Sequence, residues 1–150
     1  MHTATAPSTR PATVHHFLAP GPQAAPEARR VAARTLAAHP ADCPYGTAQD
    51  ILVIVSELTA NAVQHARPPY ALTLRVEPGR AGIAVSDASH TLPRQPGGSD
   101  VLATRGRGLE IIRALGADLF VSPSPDGKQV IAVITWPGEH GLPAAIPSNG

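Results

Sequence analysis

The sequence predicts an α+β domain, a two-layer sandwich in which a mainly antiparallel sheet is covered on one face by helices. Three observations predict it. Proline is absent from 45–67, 97–122 and 126–136, and it is excluded from helix interiors and central strands, so these windows hold the main elements. Residues 47–66 carry Ile51, Val55, Leu58, Ala62 and Ala66 at helical spacing. Two strand–turn–strand units, 71–87 and 118–136, have links too short for anything but antiparallel pairing.

The elements follow in order. An early strand is read at 13–18. Residues 26–38 form a first helix with Pro26 in its first turn, where proline is tolerated, and with Val31 and Leu36 on its inner stripe. The second helix, 47–66, opens on Thr47 and Asp50, which resemble a capping box, and is stopped by Pro68-Pro69. Leu52, Val53 and Ile54 make it apolar almost all round, so it is largely buried. In 71–77, Leu72, Leu74 and Val76 alternate with Thr73, Arg75 and Glu77, the pattern of a half-buried strand. Pro78-Gly79 turns the chain into a second strand, 81–87. Residues 88–105 are a long polar loop. A helix over 106–116 opens on two glycines and closes at Gly116. Strands at 118–122 and 128–136 are joined by a Pro125-Asp126-Gly127 turn.

Composition bounds the function. The 150 residues fit one domain, 13–136, with tails at 1–12 and 137–150 rich in Thr, Ala, Pro, Gly and Ser. Twelve basic against eleven acidic residues leave a net charge of +1, without the basic face of a dedicated nucleic-acid binder. The single cysteine, Cys43, excludes an internal disulfide and a cysteine-based zinc site. No apolar run approaches the roughly 20 residues of a membrane helix, and no signal-peptide segment opens the chain, so a cytoplasmic protein is expected. The phosphate loop Gly-x-x-x-x-Gly-Lys-Ser/Thr is absent.

Three short segments carry chemistry. In Ser56-Glu57-Leu58-Thr59-Ala60-Asn61-Ala62-Val63-Gln64-His65, the residues Glu57, Asn61 and His65 lie four apart and form one row beside the buried stripe. A carboxylate there can orient or deprotonate a hydroxyl, and an amide oxygen suits Mg²⁺. Asp87 ends the strand on the core-facing row of Ile83 and Val85, where a carboxylate needs a donor such as an adenine amino group. Gly106-Arg107-Gly108-Leu109 opens a helix, and glycines there let backbone N–H groups approach a phosphate. Each segment alone is more often an ordinary helix row, strand end or helix start. Their order is what distinguishes them.

A helical Glu-x-x-x-Asn, a strand-end Asp and a Gly-x-Gly-Leu helix start, in that order, resemble the GHKL ATP-binding family of DNA gyrase, heat-shock chaperone ATPases and histidine kinases. SELTANAVQHA looks like the family's N-box, VSDASHTLP like its first glycine box in compact form, and GRGLEII like its second. The small size is similar to that of the compact bacterial anti-sigma factor serine/threonine kinases. The resemblance covers about residues 13–136.

The resemblance implies a role for each matching residue. Glu57 would be the catalytic acid or base, and Asn61 would coordinate the Mg²⁺ that bridges the phosphates of ATP. Asp87 would accept from the adenine amino group. Gly106, Arg107, Gly108 and Leu109 would bind the nucleotide, with 88–105 as the lid. His65 would only support the site. The Asp-x-Gly-x-Gly of larger members is replaced by Asp87-Ala88-Ser89-His90. Lys128, the only lysine, stands in Gly127-Lys128-Gln129 where compact members often have Gly-Lys-Thr, and this departure assigns it no direct role. The implied function is an anti-sigma factor that uses ATP and Mg²⁺ to phosphorylate an anti-anti-sigma protein of the STAS type, with a sigma factor as the competing partner. A homodimer is the implied assembly, with 13–18 paired either across it or within one chain. Neither nucleic acid nor membrane is an expected partner. The alternative is a catalytically silent, nucleotide-gated protein-binding module.

Overall fold

A computed structural model describes residues 11–39, 43–90 and 107–137. Five strands form one antiparallel sheet: β1 (Ala12–Leu18), β2 (Tyr70–Glu77), β3 (Arg80–Asp87), β4 (Asp118–Ser124) and β5 (Gly127–Thr135). Three helices pack on it: α1 (Ala24–Ala38), α2 (Tyr45–His65) and α3 (Arg107–Ala114). The α+β two-layer architecture expected from the periodicities is therefore the observed one. The early strand begins at Ala12, one residue ahead of 13–18, and pairs with β2 of the same chain.

The core lies between the helices and one face of the sheet. Period two sends Leu72, Leu74 and Val76 of β2, Ala81, Ile83 and Val85 of β3, and Val130, Ala132 and Ile134 of β5 to that face, where all are buried. The register stacks Leu74 against Ile83 and Ile83 against Ala132. Ile51, Val55, Leu58 and Ala62 of α2 close over this row. Burying each large aliphatic side chain contributes about 1.5–3 kcal/mol.

Local chemistry sets the element ends. Helix α1 begins at Ala24, and Pro26 falls in the first turn, where its missing N–H costs nothing. Glu27 in the same turn accepts from His16 Nε2 of β1 at 2.8 Å and from the Ala19 N–H at 3.1 Å, tying helix to strand. The capping box expected at Thr47 and Asp50 does not form. Pro44 is the cap residue, and the Ala48 N–H already donates to its carbonyl at 2.8 Å, so the helix is under way before Thr47. Helix α3 ends in a Schellman motif: Gly116 adopts φ 90°, the Gly116 N–H bonds the Arg113 carbonyl and the Ala117 N–H the Ile112 carbonyl.

The strand order is β1-β2-β3-β5-β4. After β3 the chain runs through α3, returns at the far edge as β4, and turns inward as β5. This puts β3 and β5 side by side, with Asp87 at the end of one opposite Lys128 at the start of the other.

Candidate functional site

Helix α2 is flanked by α1 on one side and α3 on the other. At about 100° per residue, Ser56 points to one flank of the buried stripe and Glu57 and Asn61 to the opposite flank. Arg29 of α1 donates to Ser56 Oγ at 2.8 Å, which fixes the first flank as the α1 side. The Glu57–Asn61 row therefore lies on the α3 side. Gly108, in the first turn of α3, stands directly against it. A Cβ built there would lie 2.5 Å from Glu57 Oε1 and 3.5 Å from its Cβ and Cδ. The glycine lets the opening turn of α3 come up against the carboxylate-bearing row of α2, and the first N–H groups of a helix have no partner within it.

Asp87 sits where the sequence puts it, on the core-facing row at the end of β3, with its side chain 1% exposed. Its donors come from the chain itself. Oδ1 accepts the Ser89 N–H at 2.8 Å. Lys128 Nζ lies 3.1 Å from Oδ1 and 3.1 Å from Oδ2, and the lysine side chain is 7% exposed. Gly127 makes the pairing possible. Its φ is 153°, and a Cβ there would run into the Asp87 carbonyl oxygen and the Ala88 Cα. No other residue lets the start of β5 close on the end of β3 in this way.

The exit of α2 meets the same corner. The Ala88 N–H donates to the Arg67 carbonyl at 2.9 Å, and the Tyr70 hydroxyl donates to the Ala66 carbonyl at 3.1 Å. Burial, and then the Asp87 charge, push the Tyr70 phenol above its ordinary value.

Of the residues expected in the site, Glu57 and Gly108 are brought together, with Asn61 one turn along the same row of α2. Asp87 lies at the end of β3, where the Ala88 N–H bonds the Arg67 carbonyl just beyond α2. Leu109 is buried in the core, so any contact it makes with a ligand is through its backbone. Arg107 is the first residue of α3. Gly106 and the lid segment 91–105 lie outside the described residues. Lys128, to which the sequence assigns no direct role, is the salt-bridge partner of Asp87. The signal was present: Lys128 shares the period-two row of Val130, Ala132 and Ile134, and a lysine on a core row needs an acceptor. Gly127 was read only as a turn residue.

The site fits a nucleotide and Mg²⁺. The missing Cβ of Gly108 lets a helix start approach the Glu57 carboxylate, free N–H groups at a helix start suit phosphate oxygens, and a side-chain amide oxygen suits a hard cation that keeps phosphate and water ligands. Among the described residues no group of three or more His, Cys, Asp or Glu forms a metal cluster. No helix of the described residues is long and apolar enough to cross a membrane.

The sheet, the Glu57–Asn61 row of α2, the strand-end Asp87 and the glycine-bearing start of α3 resemble an ATP-binding α+β domain. Residues 18–134 match the family described as the histidine kinase-like ATPase domain, and the chain belongs to it. No curated protein matches the chain. Among solved structures, it is similar to the histidine kinase domain from Erythrobacter litoralis EL346 blue-light activated histidine kinase, with 28% identity and a TM-score of 0.44. That match covers 59% of this chain and 44% of the other, so this chain spans less than half the length of that domain.

Proposed function

We propose that this ATP-binding protein is a cytoplasmic serine/threonine kinase of the anti-sigma type. Its target would be an anti-anti-sigma protein and its competing partner a sigma factor. The observation that supports the reading is the close approach of Gly108 to Glu57, which sets a carboxylate beside a helix start of the kind that suits phosphate.

Asn61 would hold Mg²⁺ together with the phosphates, and the opening turn of α3 would hold the phosphates themselves. Asp87 would accept from the adenine amino group. Glu57, half-buried on α2, would accept the proton of a partner's serine or threonine hydroxyl. ATP supplies the phosphoryl group when bound, and the protein's contribution is positioning and electrostatics. A phosphate on the partner adds about −1.5 to −2 charge, enough to weaken an apolar interface and free this chain for the sigma factor.

Calorimetry with Mg-ATP on the wild type and Asn61→Ala tests the first half. Binding should be in the micromolar range, roughly −8 kcal/mol, and Asn61→Ala should lose its Mg²⁺ dependence. Labelled ATP with anti-anti-sigma proteins tests the second half. Glu57→Gln should bind ATP and transfer nothing. Nucleotide binding with no transfer to any such protein supports the silent, nucleotide-gated module instead.

A further inference from the structure

The buried pair at the end of β3 has unused hydrogen-bonding capacity of both kinds. A carboxylate offers about four lone-pair sites. Oδ1 of Asp87 is committed to the Ser89 N–H and to Lys128, whereas Oδ2 has only Lys128 among the described residues. An ammonium has three N–H donors, and Asp87 can take two of those of Lys128. Among the described residues, one acceptor and one donor therefore remain side by side. Both are almost fully withdrawn from water, and both are held by the register of β3 and β5 and by the missing Cβ of Gly127.

We propose, on the basis of the ATP-binding reading above, that Lys128 is a specificity-determining residue that reads the base. Adenine presents an amino donor next to a ring-nitrogen acceptor. Oδ2 of Asp87 takes the amino hydrogen, and the free N–H of Lys128 donates to the ring nitrogen. Guanine fits less well. Its carbonyl oxygen can accept from Lys128 and its ring N–H can reach Oδ2, but its amino group then faces Oδ1, whose lone pairs are taken. A buried donor left unpaired costs affinity.

The test is calorimetry on the full chain with ATP and with 1-deaza-ATP, which replaces the ring nitrogen by C–H. The wild type should bind 1-deaza-ATP at least about tenfold more weakly than ATP, the loss of one charge-assisted hydrogen bond. Lys128→Met should lose the same factor with ATP and no longer distinguish the two ligands. The triphosphate of purine riboside, which lacks the amino group, should be weakened alike in both proteins, since it tests Asp87. Equal binding of ATP and 1-deaza-ATP by the wild type overturns the role of Lys128 while leaving the ATP reading intact. No binding of ATP by the wild type overturns the ATP reading itself. If Lys128→Met does not fold, the comparison of ligands on the wild type decides alone.

Discussion

Gly108 abuts Glu57 so closely that one added carbon would come within 2.5 Å of the Glu57 carboxylate oxygen. The obstructing atom is the far end of a flexible side chain, so Gly108→Ala can be accommodated by swinging the carboxylate aside. Alanine also favours a helix over glycine by about 1 kcal/mol. Gly108→Ala should therefore fold with an unchanged or raised Tm. It should nonetheless lose at least about tenfold in phosphotransfer, because the displaced carboxylate no longer faces the helix start. Thermal melting and a labelled-ATP transfer assay check the two halves. Full activity in a folded variant would mean that the Glu57 position is not critical.

Asp87 and Lys128 form an ion pair with both side chains nearly inaccessible. Removing one partner strands the other, at a cost of about 3–5 kcal/mol. Lys128→Met and Asp87→Asn should each be destabilised on this scale. The double variant should recover much of the loss, since asparagine still accepts the Ser89 N–H and no charge remains. Urea unfolding of the four proteins measures the coupling. Simple additivity of the two single losses would show that the pair does not act as a unit.

Much of the fold was legible because the signals were periodic and local. The stripe Ile51, Val55, Leu58 and Ala62 announced α2, the alternation of Leu72, Leu74 and Val76 announced β2, and Asp87 fell on the row of Ile83 and Val85. Strand order was not legible, since nothing in the local pattern of β5 says that it pairs with β3 rather than standing at the edge. The Asp87–Lys128 pair was hidden for the same reason, as it depends on a register set across 41 residues. The capping box failed because Pro44, three residues before Thr47, also had the geometry to start a helix.

Glu27 joins α1 to β1. Its carboxyl is held below the ordinary 4.5, first by the hydrogen bond from His16 and then by the Ala19 N–H. A carboxyl depressed only in the folded state contributes stability that is complete above its unfolded value and is lost as the pH falls through the folded one. Unfolding free energy should decline as the pH is lowered beneath about 4.5, and Glu27→Gln should flatten that part of the profile. Urea midpoints across the acid range check this. An identical acid slope in wild type and Glu27→Gln would remove the β1–α1 contact as its source.

Thr59 presents the opposite case, a polar group whose removal should help. It is fully buried on α2, and its hydroxyl has no hydrogen-bond partner among the described residues. At about 100° per residue it lies toward the α1 flank, away from Glu57 and Asn61. An unsatisfied buried hydroxyl costs about 1–3 kcal/mol, and valine has the same shape without it. Thr59→Val should raise stability by about 1 kcal/mol, a Tm gain of roughly 2–4 °C for a domain of this size. Thr59→Ser keeps the hydroxyl and deletes a methyl group, so it should be destabilised by about 1 kcal/mol. A loss of stability in Thr59→Val would mean that the hydroxyl is bonded in solution, for instance to a buried water between α1 and the sheet.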